Sequence, residues 1–514
     1  MMRHLAKAVA TGALIVLLAN CASTARVPAP SEPAPSASER AVHRIEAFER
    51  QVEADRNALK IPGLSIVVIE DGEMLSARGF GHADVERRIP ATADTLYHLA
   101  SVTKTFTAIL VLQLVEQGKL DLDEPVSRYS DDFKDDSVKI KHLLSHTSEG
   151  TPGEKFSYNP ERFEYLKAIL EKKTGKPLRQ VFVETFLDPL AMRDSVPSHD
   201  VADDATWAVL GEANLARYRR NLANFAKPYT YWGDGESVYS GYPPRDFWAS
   251  AGLLSTVLDM AKYDKAVDRH ALLQAKTLAR AWTPFLSNSG QPLAMGLGWY
   301  VTDYRGTRLV WHYGHWGTGF SALYLKVPAR RLTLIALANS EALADHHYQV
   351  GEDVTNDIFA CDFINVFVPA VANGTGAEDA SPKMQAAPAT PDDIPSTGPA
   401  RDCERSSRTA LAKWLADRRT KARKAIPLDP KLAAAYAGRY ELPHRVVTVT
   451  EEDGRLYLDV PQGDRSELFA ETPSQFFLKI RPWTLTFVKE GSQVIRLDIL
   501  DSGEIVSGRK VEAD

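Results

Sequence analysis

Thr95-Leu96-Tyr97-His98-Leu99-Ala100-Ser101-Val102-Thr103-Lys104 runs directly into Thr105-Phe106-Thr107-Ala108-Ile109-Leu110-Val111-Leu112-Gln113-Leu114-Val115. Leu99 to Gly118 reads as one helix, with the glycine as its stop. The helix is apolar over so much of its circumference that it belongs inside a core. Ser101 and Lys104 are three residues apart, which puts them on one face, so Oγ and Nζ can meet. A serine hydroxyl is a poor nucleophile at neutral pH and needs a base. A lysine desolvated in a core has its pKa lowered, enough to serve as that base or to tune another. A serine at a helix N-terminus also has a dipole and a backbone N–H that favour a developing oxyanion. The four-residue pattern alone carries little: Ser507 to Lys510 repeats it where neither helix nor pocket is expected.

Outward from this helix the chain divides into recognisable pieces. Leu64–Ile69, the turn Asp71-Gly72 and Met74–Gly81 read as a β-hairpin. Far downstream, Arg308–His312, Gly319–Val327 and Leu332–Asn339 read as strands, with Pro328 to Arg331 turning between the last two. Strands at both ends with helices between them predict an α+β fold built on a largely antiparallel sheet. Asp194 to Pro244 has weak periodicity and many Tyr, Trp, Pro and Gly, and reads as a loop-rich insertion near a pocket. Pro369 to Pro399 has few large apolar residues and reads as a linker. Cys403 to Ile426 is a short basic helix candidate. From Tyr436 strand signals dominate: Leu456–Val460, Phe476–Ile480, Thr484–Val488, Ile495–Leu500 and Ile505–Arg509 predict a small all-β, barrel-like domain.

Two more blocks complete a pattern. Pro152-Gly153-Glu154-Lys155-Phe156-Ser157-Tyr158-Asn159-Pro160 follows the helix, and His312-Tyr313-Gly314-His315-Trp316-Gly317 lies at a strand end. With Ser101-x-x-Lys104, in this order, they resemble the serine β-lactamase and penicillin-binding-protein superfamily, in its class C β-lactamase, esterase and D-aminopeptidase branch. His142 to Ser148, Asp188 to Met192 and Ala251 to Thr256 add to the likeness, which covers about residues 43–365. The resemblance implies a β-lactamase/transpeptidase-like catalytic domain. In it Ser101 is the acylated nucleophile, Lys104 holds the proton network, and Tyr158 is base toward the serine and acid toward the leaving group. His312 and Gly314 line the pocket edge, Gly314 letting substrate approach closely, and the backbone N–H groups of Ser101 and His315 form the oxyanion hole. Asn159 is the substrate-binding candidate that the resemblance offers, although it directly follows Tyr158, whereas the family has its asparagine one position later, where Pro160 stands here. His312 replaces the usual lysine, and a histidine is a weaker carboxylate anchor. Both departures point to ester, amide or D-amino-acid peptide hydrolysis rather than efficient β-lactam turnover. A weak β-lactamase, an acyltransferase, and a catalytically silent binder of cell-wall peptide are the other readings. The C-terminal segment resembles the lipocalin-like domain that follows this catalytic domain in many relatives, through Tyr436 to Tyr440 and Ser474 to Leu478.

The chain as a whole is compatible with this. It has 514 residues, 44% hydrophobic and 25% charged, a globular composition long enough for two or three domains. A net charge of −6 gives no push toward nucleic acid, so the expected partner is a small-molecule or peptide substrate, with peptidoglycan among the candidates. No cofactor and no metal is expected. His142 and His146 have helical ligand spacing but no acidic third ligand beside them. Arg3 and Lys7 precede an apolar run from Ala8 to Ala19, which reads as a secretory signal. Leu18-Ala19-Asn20-Cys21 resembles a lipobox, although Asn20 stands where Gly, Ala or Ser is usual. Lipidation would anchor the exported protein to a membrane through Cys21, in the periplasm and at the outer membrane; plain secretion or a retained anchor are the alternatives. In an oxidising compartment Cys361 and Cys403 could pair and staple the two ends of the linker, or stand as one buried and one exposed thiol. The domains expected are a signal segment (1–20), a flexible tether (21–41), a β-lactamase-like serine hydrolase domain (42–368), a Pro/Ala-rich linker with a short basic helix (369–427) and a lipocalin-like β-domain (428–514). If Cys21 carries the anchor, the wild-type protein fractionates with membranes and Cys21→Ala releases it. Soluble wild-type protein would show that Asn20 blocks processing.

Overall fold

The structure, a computed structural model, describes residues 37–201, 205–231, 237–243, 246–317, 319–348, 353–368, 403–420, 423–443, 445–460, 465–480, 483–501 and 504–511. The signal segment, Cys21, most of the tether and the stretch 369–402 lie outside them. Among the described residues a seven-stranded antiparallel sheet forms the middle of the first domain. Its strands are β1 (Gly63–Glu70), β2 (Glu73–Asp84), β3 (Ile89–Pro90), β4 (Tyr300–Tyr304), β5 (Thr307–Trp316), β6 (Phe320–Val327) and β7 (Leu332–Ala338), in the order β3-β2-β1-β7-β6-β5-β4. The hairpin read at 64–81 is β1–β2, and Asp71 and Gly72 turn with φ of 53° and 78°. Two consecutive positive φ values suit a tight hairpin whose twist matches its strands. The last strand closes on the first, Leu64 opposite Ala338, so the two ends of the domain meet in one sheet.

Helices α1 (Ala37–Ala58), α2 (Thr103–Glu116), α3 (Ile140–Leu144), α4 (Pro160–Phe163), α5 (Tyr165–Thr174), α6 (Val257–Asp268), α7 (Ile358–Phe367) and α8 (Cys403–Thr420) accompany the sheet. Strand alternation divides the core in two. Leu64, Ile66 and Val68 share one cluster with Phe48 of α1 and Phe363 and Phe367 of α7, while Val67 and Ile69 share the other with α2 and α6. Phe48 meets Phe363 at 6.0 Å and Phe367 at 5.5 Å between ring centres. As its all-round apolar sequence requires, α2 is buried at every position from Thr103 to Leu112 and again at Leu114. The 194–244 stretch is less irregular than expected: Glu212–Asn221 is a helix, burying only Leu215 and Tyr218.

The basic helix expected within the linker segment packs into the first domain. In α8, Arg408 reaches Asp55 at 2.7 Å, Trp414 Nε1 donates to Asp345 Oδ2 at 2.9 Å, and Cys403 is disulfide-bonded to Cys361. Beyond it lies a closed antiparallel barrel of β8 (Gly438–Leu442), β9 (Arg445–Glu452), β10 (Arg455–Asp459), β11 (Ser466–Ala470), β12 (Gln475–Phe477), β13 (Thr484–Glu490), β14 (Gln493–Asp501) and β15 (Glu504–Val511). Each strand pairs with the next, and β8 pairs with β15 to close the ring. Tyr436, at the end of α9 (Pro430–Tyr436), stacks on Phe487 at 4.3 Å in the barrel core. The second Ser-x-x-Lys lies on β15. There Ser507 Oγ donates to Asp498 and Lys510 Nζ to the Ala435 carbonyl, because residues three apart on a strand face opposite ways.

What positions the candidate nucleophile is the crossing of β5 over the turn before α2. A Cβ on Gly314 would stand 2.1 Å from the Leu99 carbonyl oxygen and 3.2 Å from Ala100 Cβ. The resemblance assigned this glycine to close approach by substrate; in the structure the chain itself also approaches it closely. Gly317, three residues on, has open space where its Cβ would be. Gly314→Ala is therefore expected to lower stability by about 1–3 kcal/mol through overpacking, and Gly317→Ala to change it little. Denaturant midpoints of the two variants check this pair.

Candidate active site

Ser101 occupies a 3₁₀ turn, Ala100–Val102, that runs straight into α2. The residue before it, Ala100, holds φ of 46° without being glycine. Such a conformation persists only where its surroundings enforce it. Here the enforcement is visible: β5 covers Leu99 and Ala100 from above, and the Ala100 N–H donates to His98 Nδ1 at 3.1 Å. Burial pushes His98 down to about 3, so its imidazole is neutral and available as that acceptor.

Lys104 lies one turn further on and is fully buried. Its Nζ donates to Ser101 Oγ at 2.9 Å and to the Ser250 carbonyl at 3.1 Å. It also lies 5.0 Å from the Tyr158 ring centre and 5.5 Å from that of Phe163. Burial pushes the lysine down to about 7, against the opposing pull of the Glu164 carboxylate. A lysine so placed changes protonation in the physiological range, as a group that moves protons must.

Tyr158 is half-buried in a stack of rings. His146 lies 4.4 Å away at 28° and Tyr300 6.2 Å away at 20°. His146 follows α3, and its Nδ1 accepts from the Asn159 N–H at 3.0 Å, which ties the Tyr158–Asn159 backbone to the end of that helix. Burial, with Lys104 and His312 nearby, holds His146 well below the usual histidine range. Ser101, Lys104 and Tyr158 are thus gathered in one place, with Lys104 as the group common to the other two.

The remaining candidates fall differently. Asn159 turns its side chain away: Oδ1 accepts from the Arg162 N–H and caps α4, and Nδ2 donates to Glu149 at 2.5 Å. With both ends engaged, it lines an outer groove of about 870 Å³ together with Phe133, Arg162, Glu164, Tyr165 and Trp248. His312 is fully buried rather than at the pocket edge, 5.5 Å from the Tyr300 ring and 6.4 Å from that of Tyr158. Its Nδ1 donates to the Tyr313 carbonyl at 2.6 Å, and burial pushes it down to about 3, so it is neutral. His315 is half-buried, with Nε2 3.8 Å from Asp345 Oδ1. The β5 register with β4 ends at Trp311, so His312–Trp316 project past that neighbour. At their tip Trp316 stacks on Trp248 at 5.7 Å.

Sequence reasoning passed over His146 as scaffold and missed Glu164, Ser250 and Tyr300. Glu164 sits between α4 and α5; its carboxylate accepts from the Ala249 N–H, the Ser250 N–H and Ser250 Oγ at 3.1–3.2 Å. The one available signal was position: Ser250 directly precedes the Ala251 to Thr256 block that carried part of the resemblance.

Comparison with known proteins identifies the family and the fold. Residues 48–352 match the Beta-lactamase family. Penicillin-binding protein 4* of Bacillus subtilis is 23% identical over 454 residues, covering 81% of this chain and 87% of that protein. A D-aminopeptidase of Gluconobacter oxydans is 25% identical over 342 residues, 58% of this chain and 60% of that one. Among solved structures, the octameric penicillin-binding protein homologue from Pyrococcus abyssi shares the fold with a TM-score of 0.54 at 20% identity, covering 90% of this chain and 99% of that one. The match spans more than half of the sequence, and the chain belongs to the Beta-lactamase family.

Proposed function

We propose that the chain is an exported serine acyl hydrolase that forms an acyl-enzyme on Ser101 and acts on ester, amide or D-amino-acid peptide bonds. The observation that carries this reading is the 2.9 Å contact from a fully buried Lys104 Nζ to Ser101 Oγ. A catalytically silent peptide binder has no need of a desolvated amine against a serine hydroxyl. Ser101 Oγ attacks the carbonyl carbon and its proton passes to Tyr158, which as the phenolate is the immediate base, while Lys104 keeps its charge. The tetrahedral oxyanion rests on the backbone N–H groups of Ser101 and His315. Tyr158 returns the proton to the leaving alcohol or amine, and water then attacks the acyl-enzyme by the same route in reverse. The D-aminopeptidase and penicillin-binding relatives support the substrate range. A neutral, buried His312 supplies no cation for a drug carboxylate, which disfavours efficient β-lactam turnover. Cys21, if lipidated, places this activity on the periplasmic side of a membrane.

Whether the lysine or the tyrosine gives up its proton, the competent state is the pair less one proton, so the two descriptions share one pH profile. kcat/KM for a neutral aryl ester is expected to rise through about pH 7 as the Lys104–Tyr158 pair gives up its first proton. Mutants separate what pH cannot. Ser101→Ala abolishes fluorophosphonate labelling in a folded protein, and Tyr158→Phe lowers kcat/KM by roughly 10²–10⁴-fold, the range of general-base catalysis. Near-normal turnover in Tyr158→Phe beside a dead Lys104→Met would make the lysine the base.

On substrate type, a short-chain aryl ester or a D-amino-acid amide is expected to be hydrolysed well ahead of nitrocefin, with penicillins leaving Ser101 slowly. Nitrocefin turnover at the level of a dedicated β-lactamase would overturn that preference.

A further inference from the structure

The buried ammonium of Lys104 is surrounded by groups that carry no negative charge. His146 and His312 are neutral, Tyr158 and Phe163 present ring faces, and Ser101 and Ser250 offer a hydroxyl and a carbonyl. Among the described residues, the carboxylate that acts on Lys104 is Glu164, which reaches it through one intervening segment of backbone. One oxygen of Glu164 accepts from the Ala249 N–H at 3.1 Å; the other accepts from the Ser250 N–H at 3.2 Å and Ser250 Oγ at 3.1 Å. The peptide so held ends in the carbonyl that accepts from Lys104. Thr107 Oγ1 on α2 fixes the preceding carbonyl, donating to Ala249 O at 2.7 Å. Three donors on one half-buried carboxylate are more than packing asks for, and they constrain the segment that sets the height of Lys104 above Ser101.

We propose that Glu164 is a positioning residue for the reaction at Ser101: its carboxylate clamps the Ala249–Ser250 backbone so that the Ser250 carbonyl holds Lys104 Nζ against Ser101 Oγ, and its charge balances the ammonium from behind that peptide. This rests on the reading of Ser101 as the acylated nucleophile. Two physical effects follow and can be told apart. The hydrogen bonds set geometry, hence the plateau rate. The charge favours protonated Lys104, hence the pH at which the Lys104/Tyr158 pair gives up its first proton. Burial raises Glu164 itself above the usual carboxylate range, against Lys167, and the other titratable groups facing this cluster are His146, His312 and Tyr158 toward Lys104.

The test measures the rate of Ser101 labelling by a fluorophosphonate probe from pH 5 to 9 in the full-length wild type, Glu164→Gln and Glu164→Asp. Glu164→Gln keeps the size and one acceptor but loses the charge. Its rising limb is expected roughly half to one pH unit lower, since removing a nearby negative charge lowers the pKa of an ammonium, with a plateau about tenfold lower from lost alignment. Glu164→Asp keeps the charge at shorter reach, so its limb stays near the wild-type position while its plateau falls. A residue that only stabilised the fold would move the melting temperature and leave the limb in place. Wild-type rate and limb in Glu164→Gln overturn the inference. If Glu164→Gln does not fold, a wild-type plateau in Glu164→Asp overturns it, and a slowed plateau with an unmoved limb supports it. Failure of the wild type to label at Ser101 would instead overturn the reading on which it rests.

Discussion

Burying an ammonium in a protein core is costly, and the candidate site of this molecule is organised around one such group, Lys104. The all-round apolar character of α2 takes the lysine out of water. Desolvation brings it close to neutrality, and a serine placed one turn earlier then has a proton acceptor network at hydrogen-bond distance. Every other feature near the site answers the problem that this burial creates. Had His146 and His312 been charged, they would have repelled the lysine further; each is instead held neutral, chiefly by its own burial.

The sheet performs the second task, which is to hold the turn before α2 in a conformation it would not adopt alone. Ala100 has a left-handed φ, and β5 lies on the peptide ahead of it with no Cβ at Gly314 to intervene. That β5 can lie there depends on β7 pairing with β1, which brings the C-terminal strands back onto the N-terminal hairpin. The geometry around Ser101 is thus fixed by contacts between residues more than two hundred positions apart.

Much of this was legible in the sequence, and what was not has physical reasons. The hairpin, the downstream strands and the buried helix were readable because most are apolar runs bounded by turn or stop residues. Ser101 and Lys104 were readable because one helical turn relates them. The helix Glu212–Asn221 was hidden because Leu215 and Tyr218 are its only buried side chains, too sparse to show a period. Strands β8, β9 and β11 fell within sequence read as strand-rich but were not individually placed. Asn159 was read toward substrate because sequence shows a residue's type and not which way its amide points; in the structure a helix cap and Glu149 hold it. His312 and Gly314 were read as pocket edge, and only tertiary packing shows that one is enclosed and the other receives the Leu99 carbonyl. Glu164 was invisible because it acts through the backbone of a segment some eighty-five positions away.

A second buried lysine in the same domain shows what is particular about Lys104. Lys326 on β6 is equally enclosed, yet it contacts Asp264 of α6 directly and lies 2.8 Å from Asp268 Oδ1, with Thr333 Oγ1 at 3.0 Å. That arrangement closes a charge with charges in contact, and it bridges the sheet to a helix. Lys104 receives a hydroxyl, a carbonyl and ring faces, and its nearest identified counter-charge acts from behind a peptide group. A carboxylate in contact would secure the ammonium and take up the donors that Ser101 requires. A carboxylate at one remove offsets part of the desolvation while leaving Nζ free to face Oγ. The difference between a lysine that braces a fold and one whose Nζ faces a serine hydroxyl lies here in the distance to the nearest acid, not in the depth of burial.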